Sequence, residues 1–213
     1  MLKINIKKYF IMKKIIIIGA GAMGSAFAVP CLENKNEVTL VGTHLEDELI
    51  NNIQLNNNFH PALNIKLPSN LKVEKYDKLK SILEGGIDII VAGVSSVGIE
   101  WFVKQITKSY KKNTPIILLT KGLAIEDNEL ITLSDKIKKL LKDQGHTDVN
   151  ISAIKGPCLA AGLAYKMRTG TVIANPDIKE TEKLKKIIST DYYSTEVSDD
   201  LTGIELSGAI KNI

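Results

Sequence analysis

The feature that most constrains the fold is a run of four isoleucines that leads directly into a glycine-rich turn. Residues 15–18 are consecutive and β-branched, which is typical of a strand buried on both faces of a sheet. Gly19, Gly21 and Gly24 follow at the spacing G-x-G-x-x-G, and residues 25–32 are compatible with a helix. In this context the glycines allow a tight turn, the approach of a pyrophosphate to the backbone, and close helix–strand packing. The sequence therefore predicts a strand–turn–helix unit that binds a dinucleotide, in preference to a plain glycine-rich turn.

Strands and helices alternate along the rest of the chain. Further strands are expected at 38–41, 71–74, 87–92, 115–119, 149–154, 171–174 and 193–197. Helices are expected at 46–57, 78–83, 99–109, 128–142, 158–167 and 179–188 and from 201 onward, with a loop at 58–70. The helix at 128–142 is expected to be amphipathic, with an apolar stripe of Leu130, Leu133, Ile137, Leu140 and Leu141. This alternation predicts an α/β fold with a Rossmann-type doubly wound, mostly parallel sheet and helices on both faces. We expect residues 12–200 to form this dinucleotide-binding domain and residues 1–11 to be a dispensable N-terminal extension.

Composition and charge argue against several other classes of protein. The net charge is +4, but Arg168 is the only arginine and the lysines are scattered, so nucleic-acid binding is not expected. Cys31 and Cys158 are too few for a disulfide framework or a zinc site, and they fit reduced thiols in the cytoplasm. The three histidines are not at metal-ligand spacing. We therefore expect no metal, and no membrane partner.

The segments that follow the predicted strands form the candidate site, because open α/β sheets bind ligands beyond the carboxyl ends of their strands. After the first strand, these segments are Gly42-Thr43-His44, Ser95-Ser96, Thr120-Lys121-Gly122 and Lys155-Gly156-Pro157-Cys158. Lys121 follows an apolar strand and precedes a glycine, which favours a side chain that points into the cleft. Gly156-Pro157 is compatible with either a ligand-facing turn or a simple helix start.

The choice between NAD and NADP stays open. An acidic residue at the end of the second strand would favour NAD and a nearby arginine NADP, but Thr43 stands there. Glu46, Asp47 and Glu48 come later in the chain, and we expect them to cap and charge the next helix. This acidic cluster weakly favours NAD, because it would repel a phosphate. His44 is expected to be a surface histidine.

The last predicted helix places Ile204, Ser207, Gly208 and Lys211 on one face. Its small residues would let the helix approach another backbone or a cofactor. From spacing alone, Lys211 is equally compatible with a functional lysine and with a cation that favours the helix C-terminus.

Four segments together resemble a known family. Gly-Ala-Gly-Ala-Met-Gly at 19–24, Thr120-Lys121-Gly122, Gly156-Pro157 and Gly208-Ala209-Ile210-Lys211-Asn212 have the order and spacing of NAD(P)-dependent glycerol-3-phosphate dehydrogenases. The resemblance covers residues 12–213. It implies a Rossmann N-terminal domain followed by a helical C-terminal domain of comparable size. Residues 201–213 would then be the start of a truncated helical substrate domain.

The resemblance also implies an activity: hydride transfer that interconverts dihydroxyacetone phosphate and sn-glycerol 3-phosphate with NAD or NADP. This reaction belongs to glycerol-3-phosphate metabolism and phospholipid biosynthesis. By resemblance Lys211 is the catalytic acid/base at the C2 oxygen, and a homodimer would form through the C-terminal domain. The expected substrate contacts are Lys121, Gly156, Cys158 and Asn212. The expected cofactor contacts are Gly19, Ala20, Gly21, Ala22, Met23, Gly24, Thr43, Ser95, Lys121 and Ala160.

Some positions depart from the family pattern. Cys158 stands where a serine is usual and Gly162 where a glutamate is common, and the family's later Asp and Arg-Asn pair are absent. Two alternatives therefore remain. One is another dehydrogenase of the same superfamily, such as a ketopantoate or hydroxyacid reductase. The other is a dinucleotide-binding module without turnover.

Overall fold

An eight-stranded sheet organises residues 12–210, the part of the chain that the structure, a computed structural model, describes. The strands are β1 (Lys14–Ile18), β2 (Glu37–Val41), β3 (Phe59–His60), β4 (Ile65–Lys66), β5 (Lys72–Glu74), β6 (Ile89–Ala92), β7 (Ile116–Leu118), β8 (Leu123–Glu126), β9 (Glu129–Thr132), β10 (Ile151–Lys155), β11 (Thr169–Ala174) and β12 (Tyr193–Ser198). The helices are α1 (Ala22–Glu33), α2 (Asp47–Leu55), α3 (Leu79–Glu84), α4 (Ile99–Ile106), α5 (Leu133–Asp143), α6 (Ala160–Ala164), α7 (Ile178–Ile188) and α8 (Leu201–Ile210).

The order of strands in the sheet is β12-β11-β10-β7-β6-β1-β2-β5. Every neighbouring pair is parallel except β10 and β11, which are antiparallel. The predicted doubly wound, mostly parallel sheet is therefore confirmed. Since β1 lies between β2 and β6, the chain reverses its direction of winding there, and a crevice opens beyond the carboxyl ends of these strands.

The isoleucine run of β1 is buried on both faces of the sheet. Ile15 and Ile17 pack into a cluster with Phe27 of α1, while Ile16 and Ile18 pack into a second cluster with Phe102 of α4. The first cluster also takes side chains from α2, α6 and α7, and the second from α3 and α5. Helices thus cover both faces, as the alternation of strands and helices predicts.

The predicted loop at 58–70 contains a short hairpin of β3 and β4. The expectation of an irregular loop is wrong there, because the segment is anchored by buried residues that have no clear periodicity in the sequence. His60 is fully buried, and Leu63 and Leu67 are almost fully buried under the turn between β1 and α1.

The predicted helix at 128–142 is wrong in its first part. β8 and β9 form a hairpin whose two-residue loop is Asp127 and Asn128, both with positive φ, at 50° and 65°. Such values match a tight hairpin turn, for which Asn and Asp are favoured. Leu130, which we expected on the apolar stripe of the helix, is 71% exposed. The helix begins only at Leu133. Thr132 is its N-cap residue, and the Thr132 hydroxyl accepts the N–H of Asp135 at 3.1 Å.

Close backbone contacts exclude side chains at two glycines of the turn between β1 and α1. A Cβ on Gly24 would stand 2.2 Å from the carbonyl oxygen of Gly19. Gly19 itself has a φ of +110°, and a Cβ there would stand 2.6 Å from the carbonyl oxygen of Gly93, after β6. These contacts fix where the N-terminus of α1 sits relative to the crevice.

We predict that Gly24→Ala lowers the free energy of unfolding by about 1–3 kcal/mol, because the new methyl group overpacks a backbone contact. Helix propensity alone would favour the alanine by up to about 1 kcal/mol, so the sign of the change tests the contact. Urea denaturation measures it. The matched control is Gly162→Ala in α6, where the nearest atom to a new Cβ is 4.0 Å away. If both variants are equally stable, the close contact is not what constrains Gly24.

Candidate functional site

A cavity of about 460 Å³ opens at the carboxyl ends of β1, β6 and β7. Its lining residues come from the turns that follow these three strands: Gly21, Ala22, Met23, Gly93, Val94, Ser95, Ser96, Leu119, Thr120 and Lys121. The structure thus brings together five residues predicted from the sequence, namely Gly21, Ala22, Met23, Ser95 and Lys121. Their roles toward a ligand stay predictions. Gly93 was not anticipated, although it follows a buried strand in the same way as Gly19.

The N-terminus of α1 faces this cavity and suits an anion. Among the described residues no side chain caps this helix, and its first turn carries no acidic residue. Gly21 has ordinary extended backbone angles, with φ −59° and ψ 171°. The nearest atom to a Cβ on Gly21 would be Glu46 Oε1, at 3.9 Å, so the space over this glycine is open. Open backbone beside uncapped N–H groups fits the pyrophosphate of a dinucleotide.

The backbone of Ala20 is held from two sides, which makes the turn rigid. Its N–H donates to Glu46 Oε2 at 3.0 Å, and its carbonyl accepts the Ser25 hydroxyl at 2.9 Å. The same carbonyl lies 3.0 Å from Nε2 of the buried His60. Because Nδ1 of His60 accepts the N–H of Leu63 at 3.2 Å, the ring proton sits on Nε2 and is donated to Ala20. Ala20, predicted as a cofactor contact, is therefore a buried anchor of the turn, and sequence reasoning missed His60.

Glu46 joins the end of β2 to the turn after β1. Its Oε2 accepts the N–H of Thr43 at 2.7 Å in addition to that of Ala20. The expectation that Glu46 caps α2 is wrong, since it occupies the N-cap position but its side chain makes no hydrogen bond to the helix. Asp47 and Glu48 do lie in the first turn of α2, as predicted.

His44 lies on the surface, as expected, and its ring centroid is 5.1 Å from that of Trp101 on α4. The described residues contain no group of three or more histidine, cysteine or acidic side chains that could hold a metal ion. None of the helices from residue 12 to residue 210 is both long and apolar enough to span a membrane.

Lys121 also lines a second, smaller cavity of about 20 Å³ that it shares with Gly156 and Cys158. The three predicted substrate contacts are thereby neighbours. Gly156 has a positive φ of 151°, and a Cβ on it would stand 2.9 Å from Thr171 Cα of β11, so close strand packing is one reason for this glycine.

The helix predicted at 158–167 is shorter in the structure, where α6 runs from Ala160 to Ala164, so Pro157 lies in the turn before it. Ala160, predicted as a cofactor contact, packs against the buried cluster of Ile15 and Phe27 and is not among the residues that line either cavity. Lys211 and Asn212, predicted for catalysis and substrate binding, lie outside the described residues.

A buried lysine supports the Lys121 loop, and the sequence analysis had placed this lysine in the turn after the strand rather than in the strand itself. Lys155 is the last residue of β10 and is 3% exposed. Its ammonium donates to the carbonyl of Thr120 at 2.5 Å and to that of Leu118 at 3.4 Å. Burial lowers the pKa of Lys155 to about 8; the charge of Glu205 opposes this effect, and that of Lys121 adds to it.

The helix α8 packs directly over Lys155. A Cβ on Gly208 would stand 2.8 Å from Lys155 Cδ, so the small residue of this helix makes room for the lysine rather than for a cofactor. Glu205, one turn earlier, is fully buried, and its carboxylate accepts the N–H of Ser134 in the first turn of α5. Glu205 thus joins α8 to α5, and Gly208 of the same helix packs on Lys155 at the edge of the sheet where the cavities open.

A larger cavity of about 970 Å³ lies at the opposite edge, beside the amino ends of β1, β6 and β7. Its four carboxylates are engaged within the protein: Asp88 pairs with Lys13, Asp148 with Lys112 and Glu180 with Lys183, while Asp177 accepts the N–H of Lys179. This cavity is a groove between paired surface charges, on the side of the sheet away from the glycine turn.

The shifted pKa of Lys155 makes the stability of the fold depend on pH. Below pH 8 the lysine is protonated in both the folded and unfolded states, and the folded state bears the cost of burying the charge. Between pH 8 and about 10.5 the unfolded state holds the proton more tightly, so stability rises with pH, by up to about 3 kcal/mol. Burial raises the pKa of the Cys31 thiol, which lowers stability as the pH rises past about 9, and this effect is common to the wild type and to Lys155→Met. We therefore expect urea melts at pH 7 and pH 10 to show a change in stability that is more favourable in the wild type than in Lys155→Met. Equal pH dependence in both proteins would contradict a charged, buried Lys155.

Comparison with known proteins agrees with this geometry. A family model described as the NAD-dependent glycerol-3-phosphate dehydrogenase N-terminus matches residues 14–181. The NADP(+)-dependent glycerol-3-phosphate dehydrogenase of Archaeoglobus fulgidus is 34% identical over 197 residues, which are 92% of this chain and 57% of that protein. The glycerol-3-phosphate dehydrogenase [NAD(P)+] of Mesoplasma florum is 31% identical over 203 residues, covering 94% of this chain and 58% of that protein.

The fold is that of a solved relative. The crystal structure of glycerol-3-phosphate dehydrogenase from Coxiella burnetii superposes with a TM-score of 0.81 at 24% identity, over 94% of this chain and 58% of that one. This chain thus spans a little over half the length of these relatives. Because the family model matches residues 14–181, the chain belongs to the family of NAD-dependent glycerol-3-phosphate dehydrogenase N-terminal domains.

Proposed function

We propose that this chain binds NAD or NADP as the N-terminal part of an enzyme that interconverts dihydroxyacetone phosphate and sn-glycerol 3-phosphate. The observation that carries the proposal is the uncapped N-terminus of α1 over the open space at Gly21, next to the cavity that holds Lys121. Family membership supports the reaction, and the shared edge of the sheet supports the grouping of cofactor and substrate contacts.

Each part of the site has a distinct task under this proposal. The N–H groups of α1 hold the pyrophosphate, and when bound the cofactor supplies or accepts a hydride. The Lys121 ammonium offers a positive charge to a small phosphorylated substrate at the junction of the two cavities. Lys155 holds the carbonyl of Thr120 and so limits movement of the neighbouring Lys121. Lys211 is the residue we propose to exchange a proton with the C2 oxygen of the substrate.

Several further properties follow from the family resemblance and are proposed with it. They are a cytoplasmic location, a role in glycerol-3-phosphate metabolism and phospholipid biosynthesis, and a homodimer formed through a helical C-terminal domain. Residues 12–200 are proposed as the dinucleotide-binding domain. Residues 201–213 are proposed as the start of the helical domain, and residues 1–11 as a dispensable extension.

A second candidate function is dinucleotide binding without turnover. The described crevice at the glycine turn accounts for binding of a dinucleotide by itself, and it favours this second function. The two functions differ in a simple experiment on the 213-residue chain. Calorimetry measures NADH and NADPH binding, and absorbance at the nicotinamide band follows cofactor oxidation with dihydroxyacetone phosphate. Binding with turnover supports the dehydrogenase, and binding alone supports the module. Turnover with ketopantoate instead would indicate another dehydrogenase, and no binding of either dinucleotide would contradict all three.

The variant Gly21→Val tests the cradle without disturbing the fold. Its backbone angles suit any residue and its Cβ meets no close atom, so the free energy of unfolding should change by less than about 1 kcal/mol. The branched side chain would fill the space proposed for the pyrophosphate, and affinity for NADH should fall by at least about tenfold. Calorimetry and urea melts on the same preparation separate the two effects. Unchanged affinity in a folded Gly21→Val protein would place the dinucleotide elsewhere.

A further inference from the structure

We propose that Lys155 is a positioning residue, which fixes the separation between the loop that carries Lys121, residues 119–122, and the helix α8. The inference rests on the proposed function, in which Lys121 contacts the substrate and Lys211 exchanges a proton with it. The helix α8 is described as far as Ile210, the residue directly before Lys211 in the sequence. The loop of one proposed lysine and the helix that precedes the other therefore meet at Lys155.

Lys121 depends on its backbone for its position. It lines the cavity at the carboxyl ends of β1, β6 and β7, and within residues 12–210 its ammonium has no hydrogen bond or ion pair. The strand β7 ends at Leu118 and β8 begins only at Leu123, so Lys121 lies between two different sheets. Whatever holds the loop of residues 119–122 thus decides where the Lys121 ammonium stands.

Thr120 is the fixed point of this loop, and it is held from two sides. Its hydroxyl donates to the carbonyl of Val94, after β6, at 2.7 Å, and its carbonyl accepts from the Lys155 ammonium at 2.5 Å. The register between β7 and β10 ends at the pair of Leu118 and Ala153. The side chain of Lys155 therefore continues the connection between these two strands beyond their backbone pairing, up to the residue before Lys121.

The stem of the same lysine supports α8. A Cβ on Gly208 would stand 2.8 Å from Lys155 Cδ and 3.0 Å from Lys155 Cγ, so the helix rests on these methylene groups. Burial lowers the pKa of Lys155 to about 8, and the charge of Glu205, one turn earlier in α8, opposes this shift. The two opposite charges thus attract each other beside the packing contact. Because close-packed interiors transmit displacements, a shift of Lys155 should be felt in both the loop and the helix.

The first experiment measures backbone NMR order parameters of Lys121 in the 213-residue chain without ligand. Lys155→Met keeps an unbranched apolar stem against Gly208 and removes the N–H donors that hold Thr120. We expect an order parameter of about 0.85 in the wild type, typical of a rigid backbone, and a fall toward about 0.6 in Lys155→Met. The matched control is Lys139→Met, which removes an exposed lysine that pairs with Glu126 of β8 at 2.7 Å and should leave Lys121 rigid.

The second experiment approaches the contact from the helix and does not depend on the folding of Lys155→Met. In Gly208→Ala the new methyl group would displace the Lys155 stem, so we expect the amide chemical shifts of Thr120 and Lys121 to change. Ser207→Ala, at an exposed position of the same helix, is the control and should leave these amides unchanged. In a Lys155→Ala background the stem is gone, and Gly208→Ala should then no longer affect them.

Three results would overturn the inference: an unchanged order parameter of Lys121 in folded Lys155→Met, an equal fall in Lys139→Met, or amide shifts in Gly208→Ala that persist without the Lys155 stem. A purely structural role of Lys155 would change the free energy of unfolding without these signatures. If the chain turns over dihydroxyacetone phosphate, kcat of Lys155→Met should also fall by about tenfold or more, since misplaced catalytic groups cost rate. If the wild type binds no dinucleotide, the proposed function fails, and the NMR measurements still decide the role of Lys155.

Discussion

The contact between the backbone of Gly19 and Gly24 is the constraint on which the rest of the site depends. It draws α1 onto the end of β1, where no side chain larger than hydrogen fits, and so sets the position of the uncapped helix N-terminus. The isoleucines of β1 make this arrangement stable, because burial on both faces holds the strand at the centre of the sheet. The crevice between β1 and β6 then lies directly in front of the helix.

Polar groups around the glycine turn convert this close packing into a defined shape. Both backbone groups of Ala20 are hydrogen-bonded inside the protein. Its N–H donates to Glu46, and its carbonyl accepts from Ser25 and His60. Each of these partners comes from a different part of the fold, so the turn is held by the residue that precedes α2, by α1 and by the hairpin of β3 and β4 together. A cradle fixed in this way needs little reorganisation when an anion binds, which favours affinity.

Two buried charged side chains, Lys155 and Glu205, stabilise the other side of the cavity. Lys155 and Glu205 lie inside the protein, where isolated charges are costly, and each is engaged: the lysine by two carbonyls and the glutamate by the N–H of Ser134. Their positions link β10, α5 and α8 to the loop that carries Lys121. A site that combines a dinucleotide cradle with this supported lysine is consistent with the family to which the chain belongs.

The sequence by itself determined the sheet class, the place of the glycine turn, and the grouping of Ser95, Lys121 and Gly156 along one edge, because strand alternation and the carboxyl-end rule are local patterns with a fixed topological meaning. Only the tertiary structure decided the roles of Glu46, His60 and Lys155. Their side chains act on backbone groups that are 26, 40 and 35 residues away in the chain. Likewise, the sequence alone predicted Leu130 on a helical stripe, because apolar spacing is ambiguous over a few residues. In the structure the Asp127-Asn128 turn, with its positive φ angles, puts Leu130 on strand β9. Such long-range hydrogen bonds leave no periodic signal in a single sequence, since they depend on which elements the fold brings together.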